Sequence, residues 1–383
     1  MENDKKVTTI QWATVKRSYF SSLDQIDSSI VFTGGSSYLT EGKSQRLRSK
    51  IMSSLIFDLF GFFRIPKISG YSCNFYISFN KFLRCDKPYI LLLEMPEAPG
   101  HYSPYRFKSS LGRKRLKKCL EDPNLKAVIP ISDAALKAIT PVWGSFPEKA
   151  VLQRIYIFTP DNPYISREKI SKSSSEPLRC LFVTTGFRFR TKGGLEVLDA
   201  FSKIKNAKLT IITKIDSLRK SDLESINANP NIELFDFVFS KDEMQKQYAS
   251  HQILIHLTSD DSSPLTIMEA MKGGECVITT KFYAIPEMVL DGKNGFLTDP
   301  KFQPFKSDFS LNYLGWRRQS KVLNKNKVCG RISSFLQERI AFLDSHRDVL
   351  EKMRASSYQE SVYGKFSREA NFEEWLSVLK KIS

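Results

Sequence analysis

Two acidic residues eight positions apart, Asp261 and Glu269, are the strongest candidates for chemistry in this chain. They lie in a segment, residues 253–274, whose pattern predicts a buried strand, a polar loop and a short helix. Asp261 falls at the mouth of that helix and Glu269 about one and a half turns into it, roughly 7–8 Å further along the axis. One carboxylate can therefore grip hydroxyls of a hexose while the other grips the hydroxyls of a ribose.

The start of the predicted helix offers an anion site between these two acids. A serine at 262 or 263 can cap the helix, Pro264 fits its first turn, and the glycines at 273 and 274 end it. Free backbone N–H groups and the helix dipole then favour a negative charge at three residues: Ser263, Leu265 and Thr266. A diphosphate held there, with a carboxylate on either side, is the layout that a sugar nucleotide needs.

The elements that must position these residues are clearest after residue 178. Apolar segments at 179–185, 208–213, 231–238, 252–257 and 276–280 alternate with amphipathic helical stretches. This alternation predicts βαβ units and a parallel sheet covered on both faces, with ligands at the carboxyl ends of the strands.

The first half of the chain is less regular but also favours α/β topology. Candidate strands lie at 29–33, 89–93, 127–131 and 154–158. A Ser-rich stretch ending in Pro, residues 171–177, has the composition of a linker. Helices are expected at 331–343 and 371–381, and residues 301–328 show no clear period, which is typical of an insertion or loop.

Composition limits the function classes. The chain has 383 residues, which is enough for two domains. Hydrophobic residues make up 41% of it and charged residues 26%, which is the balance of a globular protein. Its formal net charge of +17 implies an anionic partner: a phosphorylated ligand, nucleic acid or an acidic membrane surface. The six cysteines form no CxxC pair, and Cys180 and Cys276, which fall inside predicted strands, are expected as buried apolar residues. The charged N-terminus and the lack of a long apolar run lead us to expect a cytoplasmic protein.

The segment that follows Asp261 resembles the signature of retaining family 4 glycosyltransferases of the GT-B fold. The two spaced acids, the run 270–274, the strand 276–280 and the segment 284–297 all match in order. The family usually has Glu where this chain has Asp261, and Asp260 beside it is a possible substitute. The resemblance implies two Rossmann-like domains facing a central cleft, with a C-terminal helix that crosses back to the N-terminal domain.

A second match covers residues 182–194. In the family this strand, loop and helix supply an Arg and a Lys that neutralise the donor diphosphate, close to a Gly that corresponds to Gly186. Lys192 matches the Lys-Gly position. Phe187 stands where the family usually has Arg, so Arg188 is favoured for that role, with Arg190 as the alternative.

The resemblance further implies a domain plan and a reaction. Residues 1–175 would bind the acceptor and be completed by the helix at 364–383, whereas 176–363 would bind the nucleotide sugar. Transfer to a glycan or lipid-linked acceptor would retain the anomeric configuration, with no metal or other cofactor, since cations and helix amides stabilise the departing diphosphate. His101 is the candidate for the histidine that lines the family's active site from the N-terminal domain.

Other readings stay open. Residues 98–120 carry seven basic residues and no acid, and residues 51–63 are strongly apolar. Together they are typical of a contact with an anionic membrane. The alternative is that the basic stretch is a solvated helix face and the apolar run a buried core helix. A GT-B protein that binds nucleotide sugars without turnover is one alternative function. A nucleic-acid-binding protein is the less favoured one, because no nucleic-acid module is recognised and the aromatic residues are not interleaved with the basic ones.

Overall fold

The structure is a computed structural model, and it describes residues 7–14, 16, 20, 23–24, 27–35, 55–170, 177–184, 188–323, 325 and 327–383. The chain divides into two compact units. The first comprises Met1–Phe158, Pro304–Trp316 and Arg368–Ser383. The second comprises Thr159–Gln303 and Arg317–Ser367.

The first unit is built on a parallel six-stranded sheet of order β2-β1-β4-β6-β7-β8, with a separate parallel pair, β3 and β5. Its strands are β1 Thr8–Trp12, β2 Ile30–Gly34, β3 Lys67–Ile68, β4 Phe75–Phe79, β5 Arg84–Cys85, β6 Tyr89–Leu93, β7 Leu125–Pro130 and β8 Val151–Leu152. Its helices are α1 Leu55–Leu59, α2 Ser110–Leu120, α3 Asp133–Trp143, α10 Tyr313–Leu323 and α13 Arg368–Ile382. Of these, α10 begins in the first unit, and its residues from Arg317 onward belong to the second. The central strands β4 and β6 are buried along their whole length, so apolar layers cover both faces of the sheet.

The second unit contains a parallel six-stranded sheet of order β11-β10-β9-β12-β13-β14. Its strands are β9 Leu178–Val183, β10 Ala207–Thr213, β11 Ile232–Asp236, β12 Ile253–His256, β13 Cys276–Thr280 and β14 Gly295–Thr298. Its remaining helices are α4 Arg167–Ile170, α5 Gly194–Phe201, α6 Lys220–Asn227, α7 Lys241–Ser250, α8 Leu265–Lys272, α9 Ile285–Met288, α11 Gly330–Ser345 and α12 Arg347–Val362. The order is that of a doubly wound sheet, in which the direction of winding reverses between β9 and β12.

The division between the units comes earlier than the sequence predicted. The prediction placed it at residue 175, inside a linker of which residues 171–176 lie outside the described part, whereas the structure divides the chain after Phe158. The reason is that the intervening residues bond to the second unit. Asp161 pairs with Lys272 at 2.5 Å, and Asn162 Nδ2 donates to the carbonyl of Gln245 at 2.7 Å.

The predicted strand at 154–158 is wrong. Beyond the short strand β8, the side-chain amide of Asn371 on α13 donates to the carbonyl of Tyr156. In the opposite direction, the side-chain amide of Gln153 donates to the carbonyl of Glu374 on α13. Ile155 instead packs with α13 in the core of the first unit. The periodicity of an extended apolar segment does not reveal whether a strand or a helix will cover it.

Within the basic stretch 98–120, only Ser110–Leu120 is α-helical, and most apolar side chains of this helix, α2, face inward. Leu116, Cys119 and Leu120 are buried in the core of the first unit. These side chains are therefore unavailable to a lipid surface. The possibility that this helix inserts its buried apolar side into a membrane is wrong. No helix in the described part of the chain is long and apolar enough to cross a bilayer.

Candidate active site

The loops that follow β9 and β12 meet where the winding of the second sheet reverses. The backbone N–H of Ser259, after β12, donates to the carbonyl of Thr191, after β9, at 3.1 Å. Gly193 makes this approach possible, since its φ is +87° and a Cβ there would lie 2.6 Å from Leu257 Cβ. In open parallel sheets this crevice at the carboxyl ends of the strands is the usual ligand site.

Three predicted residues converge in this crevice. The ammonium of Lys192 donates to a carboxylate oxygen of Asp261 and, at 2.9 Å, to the carbonyl oxygen of Asp260. Arg188 approaches from the same loop, with Nη1 4.0 Å from the other carboxylate oxygen of Asp261. Two cations therefore face a single carboxylate at the crevice.

His256 completes the group, although the sequence reading treated it only as part of a strand. Its Nε2 lies 2.9 Å from Asp261 Oδ2. Because a carboxylate can only accept, Nε2 carries the hydrogen, and Nδ1 is then the bare nitrogen, buried and without a hydrogen-bond partner among the described residues. A polar residue at the last position of a buried strand, just before a polar loop, was the available signal.

The charges of this group depend on one another. Burial would raise the pKa of Asp261, but the ammonium of Lys192 and the hydrogen bond from His256 outweigh it and hold that pKa well below its usual range. Burial lowers the pKa of Lys192, and Asp261 partly restores it. Burial also lowers the pKa of His256, which favours the neutral ring. Asp261 is thus the counter-ion that favours the charged form of a buried lysine.

Helix α8 begins directly beyond this group, but the predicted serine cap is wrong. The helix starts at Leu265, its N-cap is Pro264, and no side chain caps it. Ser263 instead holds its hydroxyl buried without a hydrogen-bond partner among the described residues. The first N–H groups of the helix, at Leu265 and Thr266, have no acceptor within the helix and so provide the expected positive end. The helix ends at Lys272, followed by Gly274 with φ +72°, as predicted.

Glu269 lies four residues into α8, about 6 Å along the axis from Leu265. It is half-buried, and its Oε2 accepts a hydrogen bond of 3.1 Å from the hydroxyl of Tyr248 on α7. Burial raises its pKa. None of the described contacts joins Glu269 to Asp261 or to Lys192: Asp261 lies four residues before α8 begins, and Glu269 lies in the middle of the helix.

Three other predicted residues stand apart from this group. Arg190 is buried, and its guanidinium donates to both carboxylate oxygens of Asp222: Nη2 to Oδ1 at 2.6 Å and Nε to Oδ2 at 3.3 Å. His101 belongs to the first unit, where it follows β6 with φ +58°. Gly186 lies outside the described residues. Among the described residues, no cluster of three or more His, Cys, Asp or Glu side chains could hold a metal ion.

Comparisons with known proteins place this site within a recognised domain. Residues 178–305 match a family model described as glycosyl transferases group 1. A segment of 137 residues is 28% identical to the sulfoquinovosyl transferase SQD2 of Arabidopsis thaliana, covering 34% of this chain and 26% of that protein. The alignment therefore spans about a quarter of that relative's length.

Solved structures match nearly the whole chain. A glycosyltransferase from Rickettsia africae ESF-5 has a TM-score of 0.59 at 15% identity and covers 98% of both chains. Anabaena HepE, solved in complex with UDP, has a TM-score of 0.60 at 13% identity and covers 98% of this chain and 100% of its own. At such identities the likeness concerns the fold. The predicted α/β architecture of the GT-B type is confirmed.

Proposed function

We propose that this protein is a glycosyltransferase that takes a sugar from a nucleotide-sugar donor bound to its second unit. The observation that carries the proposal is the convergence of Lys192, Arg188 and Asp261 at the reversal of the sheet, directly before the N-terminus of α8. Two cations and a helix end are what a diphosphate needs. The matched family model and the UDP found in HepE support the same chemistry.

In this proposal the donor diphosphate competes with Asp261 for Lys192. The diphosphate would take the ammonium of Lys192 and the guanidinium of Arg188, while Asp261 keeps its hydrogen bond from His256 and turns toward the hexose. Glu269, oriented by Tyr248, would accept hydrogen bonds from the ribose hydroxyls. Arg190 is excluded from the diphosphate in this scheme, because its guanidinium is engaged with Asp222.

We further propose that the reaction retains the anomeric configuration and uses no metal. Lys192, Arg188 and the first amides of α8 would stabilise the negative charge that develops on the leaving diphosphate. The acceptor hydroxyl would attack on the face from which the diphosphate departs, and a phosphate oxygen would take its proton. The acceptor in this proposal is a glycan or a lipid-linked molecule. The catalytic role of His101 and the cytoplasmic location stay predictions.

A thermal-shift screen with UDP-, GDP-, ADP- and TDP-sugars tests the donor site. A donor at 100 times its dissociation constant should stabilise the protein by about 2.7 kcal/mol. Lys192→Met and Glu269→Gln should each abolish most of that shift, whereas Lys208→Met, which removes an exposed lysine from β10, should leave it intact. A full shift in both site variants would refute the assignment.

The products test the reaction. With the donor identified, NMR of the transferred sugar should show the anomeric configuration of the donor, and turnover should persist in EDTA. Inversion, or loss of turnover with the chelator, would refute the corresponding part of the proposal. A protein that binds donor without catalysis is the competing function, favoured by the engagement of Lys192 with Asp261. Equal donor hydrolysis by the wild type and Glu269→Gln would support it.

A further inference from the structure

A short apolar segment on the first unit is turned toward solvent. Helix α1 and the turn after it expose three large apolar side chains: Ile56 is 67% exposed, Leu59 72% and Phe60 59%. Phe62, two residues later, is 37% exposed. Single exposed apolar residues are ordinary, but four within seven positions form a patch of the kind that marks an interaction surface.

The segment is fixed in this orientation. Asp58, on the inner side of α1, is buried and paired with the buried Arg106 at 2.9–3.0 Å. Phe63 is fully buried and packs edge-to-face on Phe107. Because these anchors hold the inner side of the segment, the apolar side chains on its outer side have no route into the core.

Helix α2 lies directly beside this segment. A Cβ on Gly61, whose φ is +58°, would lie 2.2 Å from the backbone of Gly112, so the turn and the first turn of α2 touch through two glycines. Arg115 extends from α2 across the segment, with its guanidinium 4.8 Å from the ring of Phe62 and 5.2 Å from that of Phe63. The sequence named these two stretches, about fifty residues apart, as one candidate membrane contact, and the structure brings them into direct contact.

The outer side of α2 adds positive charge to that surface. Arg113, Lys114, Lys117 and Lys118 are exposed, and Leu111 is exposed among them. Since Leu116, Cys119 and Leu120 are buried in the core, α2 offers a partner its exposed cations and a single exposed apolar residue, Leu111. We call the combined surface the docking face, defined by Ile56, Leu59, Phe60, Phe62, Leu111, Arg113, Lys114, Lys117 and Lys118.

We propose that the docking face binds an anionic phospholipid bilayer. Aromatic and aliphatic side chains insert at the boundary of headgroups and acyl chains, while neighbouring lysine and arginine side chains pair with lipid phosphates. The charge complementarity favours lipid: the helix that contacts the apolar segment carries four exposed cations and no acid, and the acid that follows it, Glu121, pairs with Lys117. The inference deepens the proposed function by naming where a lipid-linked acceptor is reached, but binding to the bilayer does not depend on donor chemistry.

Vesicle sedimentation of the full chain tests the proposal. The wild type should bind vesicles of phosphatidylcholine with added phosphatidylglycerol and bind pure phosphatidylcholine far more weakly. Replacing the four exposed cations of α2 by Gln should reduce partition by about fivefold for each charge, several hundredfold together. Leu59→Ser with Phe60→Ser should reduce it by about tenfold or more and leave the salt dependence of the remaining binding unchanged.

A matched control separates the docking face from bulk charge. The control replaces four exposed lysines of the second unit by Gln: Lys208, Lys220, Lys246 and Lys352. It lowers the net charge from +17 by the same four charges as the α2 variant does. This control should keep nearly full binding. Equal loss in both quadruple variants, or no preference of the wild type for anionic vesicles, would overturn the proposal.

Two further readouts keep the outcomes distinct. The donor thermal shift should be unchanged in the docking-face variants, so that failure of the donor site and failure of the docking face are seen separately. The melting temperatures should also stay near that of the wild type, since every substituted side chain is exposed. Retention on duplex DNA that the α2 variant abolishes, without binding to vesicles, would assign the face to nucleic acid and refute the lipid proposal.

Discussion

The pairing of Lys192 with Asp261 can be tested by a double-mutant cycle on stability. The two side chains are 7% and 19% exposed, so their ion pair is largely withdrawn from water. Removing one partner from a buried pair leaves the other charge uncompensated, which typically costs about 3–5 kcal/mol. The perturbations are Lys192→Met, Asp261→Asn and the two combined.

The contacts set the expected size of each loss. Asp261→Asn leaves the ammonium of Lys192 with neutral acceptors only, the carbonyl of Asp260 among them, and because the site is partly exposed we expect the lower end, about 3 kcal/mol. Lys192→Met leaves Asp261 with its hydrogen bond from His256, so about 2 kcal/mol is expected. The double variant buries neither charge and should lose about 3 kcal/mol in total, which corresponds to a coupling of about 2 kcal/mol.

The assay must follow the second unit. All four tryptophans belong to the first unit, so their fluorescence reports that unit, whereas far-UV circular dichroism includes the helices of the second. In guanidinium unfolding the circular dichroism transition should move in all three variants, and the fluorescence transition should not. If the two single losses add to the double loss within about 0.5 kcal/mol, the two side chains do not pair and Asp261 is not the counter-ion of Lys192.

Three further predictions concern other parts of the chain. Gly193→Ala should cost more than about 2 kcal/mol of stability and remove the donor thermal shift, because the residue has φ +87° and no room for a Cβ; an unchanged shift would contradict the close approach of the two loops. Arg190→Ala should lower the melting temperature, because it leaves the buried carboxylate of Asp222 without its partner. The donor dissociation constant of the folded protein should not change. Weaker donor binding at low temperature would show that Arg190 does belong to the donor site. Burial raises the pKa of Glu97 to about 7, so the folded chain holds a proton between pH 4.5 and 7 that the unfolded chain releases, and stability falls as the pH rises through that window. Glu97→Gln should remove this dependence and exceed the wild type by about 3 kcal/mol above pH 7 in tryptophan-monitored unfolding; an identical pH profile would show that Glu97 titrates normally.

The fold of the second unit followed closely from the sequence. Its predicted strands agree with β9 to β13 within about two residues, because strands buried on both faces are continuous apolar runs separated by polar turns. The first unit was harder to predict. Strand β1 and the fully buried strand β4 were missed, because the flanking residues interrupt the periodic pattern.

The candidate site was predicted in part. Lys192, Arg188 and Asp261 came from motif spacing, and the structure brings them together. The motif favoured Arg188 over Arg190 without a physical reason, and the structure supplies one: Arg190 is bonded to Asp222, which lies 32 residues away on α6. His256 was missed because its role depends on the loop that brings Asp261 back to the end of β12.

The sequence by itself determined the alternation of strands and helices, the parallel sheet of the second unit and the residue types at its loops, since these depend on local periodicity and short motifs. Only the tertiary structure decided which charges pair: Lys192 with Asp261, Arg190 with Asp222, and Asp58 with Arg106. It also joined the apolar turn at Gly61 to the basic helix α2. Such pairings depend on which loops the topology brings to the same edge of a sheet, and residue spacing along the chain carries no record of that.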